Sequence, residues 1–233
     1  MDTSEQNKPK LTSAFDLFPK SRELVIKNLR VFGWLYLLPF LFSLGDVFSQ
    51  SKAAKTGDPV DSLSKFSGGG LATLVGFGIA IMLAAIVVLL FVQAMLFVLE
   101  LQVAQNKTPN MGELWQTAKH YFWRLLGLGI LVGVFIIGGL ILFIVPGLFA
   151  LRRYFLSPYY LVDKDLTISE AMKQSAAESK EFSGGIWGVL GVALLLGLFG
   201  IVPIVGSVIS LVLGAMYSVA PALRYLEIKK AKS

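Results

Sequence analysis

The chain has 233 residues, of which 55% are hydrophobic and 15% charged, with a mean hydropathy of +0.69 and a formal charge of +6. That balance excludes an ordinary soluble domain and points to several membrane spans, and the absence of cysteine excludes disulfides, thiolate metal sites and cysteine nucleophiles. The basic residues flank apolar runs and do not gather with aromatics on a polar domain, which speaks against nucleic acid and for anionic lipid headgroups as partner.

In chain order, residues 1–30 are polar, carry Lys8, Lys10, Lys20, Arg22, Lys27 and Arg30, and lack a cleavable signal pattern. They read as a cytoplasmic segment with an amphipathic helix. Residues 31–48 form the first predicted span, with Asp46 near its far end. A Ser/Gly/Lys-rich loop leads to a long apolar run, 71–101, which at ~1.5 Å per residue must tilt or project beyond a hydrocarbon core of about 30 Å. A polar, tryptophan-bearing segment, 107–124, precedes the apolar runs 125–145 and 148–162. These are divided at Pro146-Gly147, a pair read as a turn because proline lacks the amide proton and glycine tolerates left-handed backbone. After the polar segment 163–185, the run 186–226 is too long for one span, and Pro203 divides it into 186–201 and 206–226. The expectation is an all-α membrane protein of six spans forming one domain, 31–226, followed by a basic cytoplasmic tail, 227–233. The run 148–162 is short enough to be re-entrant.

With both termini inside, every basic residue except Lys52, Lys55, Lys65, Arg152 and Arg153 falls on an inner segment, as the positive-inside rule requires. Small residues every four positions, Ala72, Gly76, Ala80 and Ala84 in the second span and Gly206, Ser210, Gly214, Ser218 and Ala222 in the last, form ridges suited to helix packing.

Sliding the chain on itself reveals a repeat. At an offset of 57 residues Glu113 meets Glu170, Gly127 meets Gly184, and Ile144-Val145-Pro146 meets Ile201-Val202-Pro203. Asn110 with Glu113 matches Thr167 with Glu170, each a capping pattern that starts a helix by satisfying orphan amide protons. Met111, Leu114, Trp115, Ala118, Phe122 and Leu125 match Ile168, Ala171, Met172, Ser175, Ser179 and Phe182 as one helical stripe. A third copy begins at Ser13-x-x-Asp16, with Ala14, Leu17, Phe18, Ser21 and Val25 on the stripe and Pro19 interrupting it. Each unit reads as an interfacial amphipathic helix, a span, a turn and a returning span. Three such hairpins leave a threefold or a linear arrangement open.

Candidate chemistry is sparse. His120 stands beside Tyr121 and Trp123 as an aromatic-belt residue, without the imidazole or thiol neighbours a metal needs. The pair Asp163 and Asp165 resembles metal ligands but precedes the Thr167 cap, where negative charge favours a helix start. No nucleophile elbow, metalloprotease pair or phosphate loop occurs. No catalytic residue, metal or cofactor is therefore assigned. Arg152 and Arg153 with Tyr154 stand inside an apolar run, where charge is costly, and either snorkel to headgroups or form an anion or lipid site together with Asp46.

The pattern Val145-Pro-Gly-Leu-Phe-Ala-Leu-Arg-Arg-Tyr154, then Val162 through Ser175 and a Gly-Gly-x-Trp187 re-entry, resembles the YciC-like group of bacterial inner-membrane proteins of unassigned activity. That group is related to the membrane domain ahead of some glycerophosphodiester phosphodiesterases. The resemblance covers mainly residues 140–190 and implies a bacterial inner-membrane location. It also implies that Pro146, Gly147, Arg153, Tyr154, Glu170, Ala171 and Ser175 recur. No phosphodiesterase domain follows the bundle, so that activity does not carry over.

Two expectations follow. One is a non-enzymatic membrane scaffold or envelope-homeostasis protein that engages lipid, a membrane-protein partner or a second copy through its amphipathic helices. The other is a transporter or channel for a lipid or small anion using Arg152 or Arg153.

Overall fold

The computed structural model describes residues 11–37, 39–41, 68–201 and 205–232, in which every regular element is helical. Asp46 and Pro203, and residues 38 and 42–48 of the first predicted span, lie outside the described residues. Helix α1 is Leu17–Lys27, α2 covers 29–37, α3 is Gly68–Ala104 and α4 is Met111–Leu142. Helices α5 (Ile144–Tyr154) and α6 (Ser157–Asp163) return along α4. Then come α7 (Ile168–Glu181) and α8 (Ser183–Leu198), a short 3-10 turn (Phe199–Ile201), α9 (Val205–Tyr217) and α10 (Ala220–Ala231).

Three stretches are long and apolar enough to cross a membrane among the described residues, Phe77–Ala104, Met111–Leu142 and Val208–Ala231. A fourth is gained if the pair α7 and α8, bent by 100°, counts as one span. The chain is thus an all-helical protein with membrane-spanning character. The predicted span 148–162 is divided in the structure between α5 and α6.

The apolar side chains sort into two populations. Leu99, Leu114, Leu128, Leu156, Ile186, Tyr225 and Ile228 form a packed body at the end that carries the charged residues. Each fully buried leucine there contributes about 1.5–3 kcal/mol. At the other end Phe77 to Leu90, Ile130 to Phe149, Leu194 to Phe199 and Val208 to Val212 supply exposed apolar side chains. A surface of that kind, on helices this long, marks a membrane-embedded region.

Most of each stripe read as interfacial turns inward instead, although Met111 and Trp115 of the second copy are exposed. Ala14, Leu17, Ser21 and Val25 of the first copy, Leu114, Ala118 and Leu125 of the second, and Ala171, Met172, Ser175, Ser179 and Phe182 of the third are all buried in protein. Pro19 does not interrupt α1, because it sits in the first turn, where the missing amide proton has no helical acceptor anyway. Of the first small-residue ridge, Ala80 and Ala84 are exposed, whereas Ala222 of the last is fully buried.

The units also differ in shape. Residues 107–124 do not form a separate interfacial helix, since α4 continues from Met111 through to Leu142 with no stop residue around Arg124. In the next unit Phe182 ends α7, and Ser183-Gly184-Gly185 opens α8 in a new direction. A pair of glycines weakens helix continuity where Phe122-Trp123-Arg124-Leu125 does not.

The α4–α5 turn is displaced from its predicted place. The single extended residue is Phe143, with φ −162° and ψ 152°, and Pro146 and Gly147 lie in the first turn of α5. Gly147 has no positive φ. Its bare Cα is needed for close approach: a Cβ there would stand 2.4 Å from Leu140 Cγ, and one on Gly139 would stand 2.8 Å from Gly147 Cα. Glycine thus lets two antiparallel backbones touch immediately below the tip.

Candidate functional site

The helix breaks decide what is polar inside this bundle. Where α5 gives way to α6, the Ser175 hydroxyl of α7 donates to the Arg153 carbonyl at 2.8 Å and accepts from the Leu156 amide at 3.2 Å. Ser21 of α1 does the same at the break between α9 and α10, donating to the Met216 carbonyl at 2.7 Å and accepting from the Val219 amide at 3.2 Å. Both serines are fully buried. Each fills a gap in a helical hydrogen-bond ladder that would otherwise leave orphan backbone groups. The breaks share a local sequence, Tyr154-Phe-Leu-Ser-Pro158 and Tyr217-Ser-Val-Ala-Pro221, because proline has no amide proton for the ladder. On the matching stripe α4 carries Ala118, which is also fully buried, and α3 runs unbroken.

A cross-tie closes the charged end. Asp163, ending α6, accepts from Gln105 Nε2 at 2.8 Å, from the Tyr225 hydroxyl at 2.5 Å and from Lys229 Nζ at 2.5 Å. Burial alone would raise this carboxyl, but donation from Lys229 and Tyr225, the Lys229 charge and Gln105 outweigh it and hold it below the usual carboxylate value. Asp165 pairs with Arg124 at 2.6 Å, which lowers its carboxyl likewise, and adopts a positive φ of 51°. These aspartates, expected to favour the start of α7, instead join helices. The start of α7 is served by Thr167, whose side chain accepts from the Glu170 amide while the Glu170 carboxylate accepts from the Thr167 amide at 3.0 Å. At the start of α4, Asn110 Oδ1 accepts from the Gly112 amide at 3.0 Å, and Glu113 stands in the first turn.

Sequence reasoning assigned no role to Glu100. It is buried on α3, and its Oε2 accepts from the Tyr159 hydroxyl at 3.2 Å. Missed too were the partners of the arginines, which diverge. The Arg152 guanidinium lies 4.9 Å from the Phe149 ring and 6.0 Å from that of Trp187, a cation-π setting against α8, and its Nε is buried without a hydrogen-bond partner.

Arg153 is exposed and turns toward α7, where it lines a recess of about 470 Å³ with Tyr154, Leu131, Phe135, Ile168, Ser169, Met172, Lys173 and Ala176. Neither Arg153 nor Lys173 has an ion-pair partner among the described residues. The i, i+4 spacing of Ser169 and Lys173 on a capped helix is the signal that was present in the sequence. Only the bend of α7 brings that face to Arg153.

Among the described residues no three His, Asp or Glu side chains converge as metal donors. His120 packs against Tyr121, with ring centroids 4.8 Å apart. No family model, no curated protein and no solved structure matches this chain.

Proposed function

We propose that this chain is a non-enzymatic scaffold of the bacterial inner membrane, akin to the YciC-like group. It places six apolar segments in the bilayer as three hairpins, the middle one reaching just short of the far headgroups, with both termini and the packed helical body on the cytoplasmic side. Three hairpin units are arranged in a ring. The observation that carries the ring is Ser21: a side chain from the first unit bridges the broken return helix of the last unit, as Ser175 of the last unit bridges that of the middle one. Since α3 of the first unit also packs on α4 of the middle one, each unit meets both others, which a linear row does not allow.

Ring closure by buried serines and the Asp163 cross-tie favours a platform that presents fixed surfaces to lipid or to a membrane-protein partner. It disfavours a device that alternates between two packings. The test is flux. The purified protein, reconstituted in sealed vesicles loaded with small anions or with labelled lipid in one leaflet, is expected to release or flip neither above empty vesicles. Solute or lipid movement abolished by Arg153→Ala in a variant that still inserts would replace the scaffold with a transporter.

A further inference from the structure

The recess between α4, α5 and α7 has the shape and charge of a receptor for one lipid molecule. Two cations stand at its mouth, Arg153 on α5 and Lys173 on α7, with Ser169 one helical turn before Lys173. Neither cation makes a direct ion pair among the described residues, and the Glu170 carboxylate, which feels the Lys173 charge, is tied to Thr167 at the start of α7. The wall behind them is apolar, and Leu131 and Phe135 are 41% and 48% exposed, so it runs without interruption into the lipid-facing surface of α4. A free anion would use the cations and leave the wall idle. A soluble peptide would have to enter hydrocarbon to reach it.

The depth fits as well. Ile168 touches Gly127, and α8 turns away from α7 by 100°, so α7 lies across the bundle where α4 leaves the charged body. Headgroup phosphates sit at that level, and the long Arg153 side chain reaches it by snorkelling. The site belongs to one unit alone. When Ser175 is superposed on Ser21 and Leu156 on Val219, Lys173 falls on Pro19 and Arg153 on Met216, both uncharged.

We infer that the recess binds a single anionic phospholipid, its phosphodiester held by Arg153, Lys173 and the Ser169 hydroxyl and one acyl chain laid against Leu131 and Phe135. This rests on the membrane reading and names the ligand of its arginine site. Arg152, which packs against Phe149 and Trp187 on the side of α8 and does not line the recess, is not part of it.

The test is native mass spectrometry of the full chain titrated with 1-palmitoyl-2-oleoyl phosphatidylglycerol or the corresponding phosphatidylcholine. Phosphatidylglycerol is expected to be retained in preference. Arg153→Gln and Lys173→Gln should each weaken it about fivefold and the double variant about twenty-fivefold, the factor matching about 1 kcal/mol per basic side chain near an anionic surface. Arg153→Lys should stay within about twofold, since the charge persists. Ala176→Trp, which fills the recess and keeps both charges, should abolish the preference, whereas Arg152→Gln should leave it intact.

Equal retention of both lipids, equal loss in Arg152→Gln, or displacement by sn-glycerol 3-phosphate as effective as by the intact lipid would each overturn the inference. Alkaline carbonate extraction separates the two levels. A chain released from the membrane refutes the membrane reading itself, and a retained chain without lipid preference refutes the recess alone.

Discussion

Gly138 and Gly139 are neighbours on α4, and replacing each with alanine is predicted to have opposite consequences. A Cβ on Gly138 meets nothing within 4 Å, whereas one on Gly139 would lie 2.8 Å from both Gly147 Cα and Gly147 N and 3.0 Å from the Pro146 carbonyl carbon. Carbon atoms in good contact stand about 3.5–4.0 Å apart, so α5 must retreat by close to 1 Å to admit the methyl. The atoms in the way are backbone, which no rotamer change can move. Overpacking of that kind costs about 1–3 kcal/mol, and because the gain of up to about 1 kcal/mol in helix propensity is common to both variants it cancels, leaving a gap of roughly 1–3 kcal/mol between adjacent sites. Reversible unfolding of the two variants in mixed detergent micelles, followed by the loss of helical circular dichroism, measures the gap. Equal midpoints would refute the claim that a backbone crossing at Gly139 and Gly147 holds the hairpin.

Ser175→Ala is expected to cost about 1–3 kcal/mol by stranding the Arg153 carbonyl and the Leu156 amide in a buried site, against almost nothing for Ser169→Ala, whose side chain is exposed; the same unfolding assay reads both. Asp163→Asn should destabilise by about 1–3 kcal/mol at neutral pH by weakening the bonds from Lys229 and Tyr225. Because the folded carboxyl is held below its ordinary value of 3.8, its contribution is complete above the usual carboxylate range and is lost as pH falls through the folded value. The difference between wild type and variant should therefore close in acid, and a difference that grew on acidification would contradict the cross-tie. About 24 Å of α4 separates Gly127 from Phe143, a little less than the hydrocarbon core of about 30 Å, and the tip residues Ile141 to Val145 are 60–80% exposed and wholly apolar. Phe143→Cys should thus react with a lipid-soluble maleimide and slowly with a charged one added outside. Fast labelling by the charged reagent would put the tip in water.

Much of the architecture is legible in the residues because it follows from local rules. Capping at Thr167 and Asn110 needs only side chains two or three positions from the amides they serve, so the starts of α7 and α4 can be read directly. The turn at Pro146 and Gly147 was misplaced because these residue types report local backbone limits, while Gly147 answers to Leu140 and Gly139, seven and eight residues earlier. The inward stripes were misread for a related reason. Periodicity reveals that a helix has an apolar face, but lipid and protein core satisfy that face equally well.

The sequence by itself determined that this chain is helical and apolar enough to enter a membrane, where the caps of α4 and α7 fall, and that one pair of arginines lies inside an apolar run. Composition, capping and hydropathy act over a few residues, so they survive in one dimension. Tertiary structure alone decided that Arg152 and Arg153 part company, one to aromatic rings and the other to Lys173 across a recess, and that Ser21 and Ser175 mend breaks in helices distant in the chain. Those outcomes depend on where the 100° bend at Phe182 and the crossing at Gly139 place whole helices. A packing geometry of that kind sums over many contacts and is written at no single position.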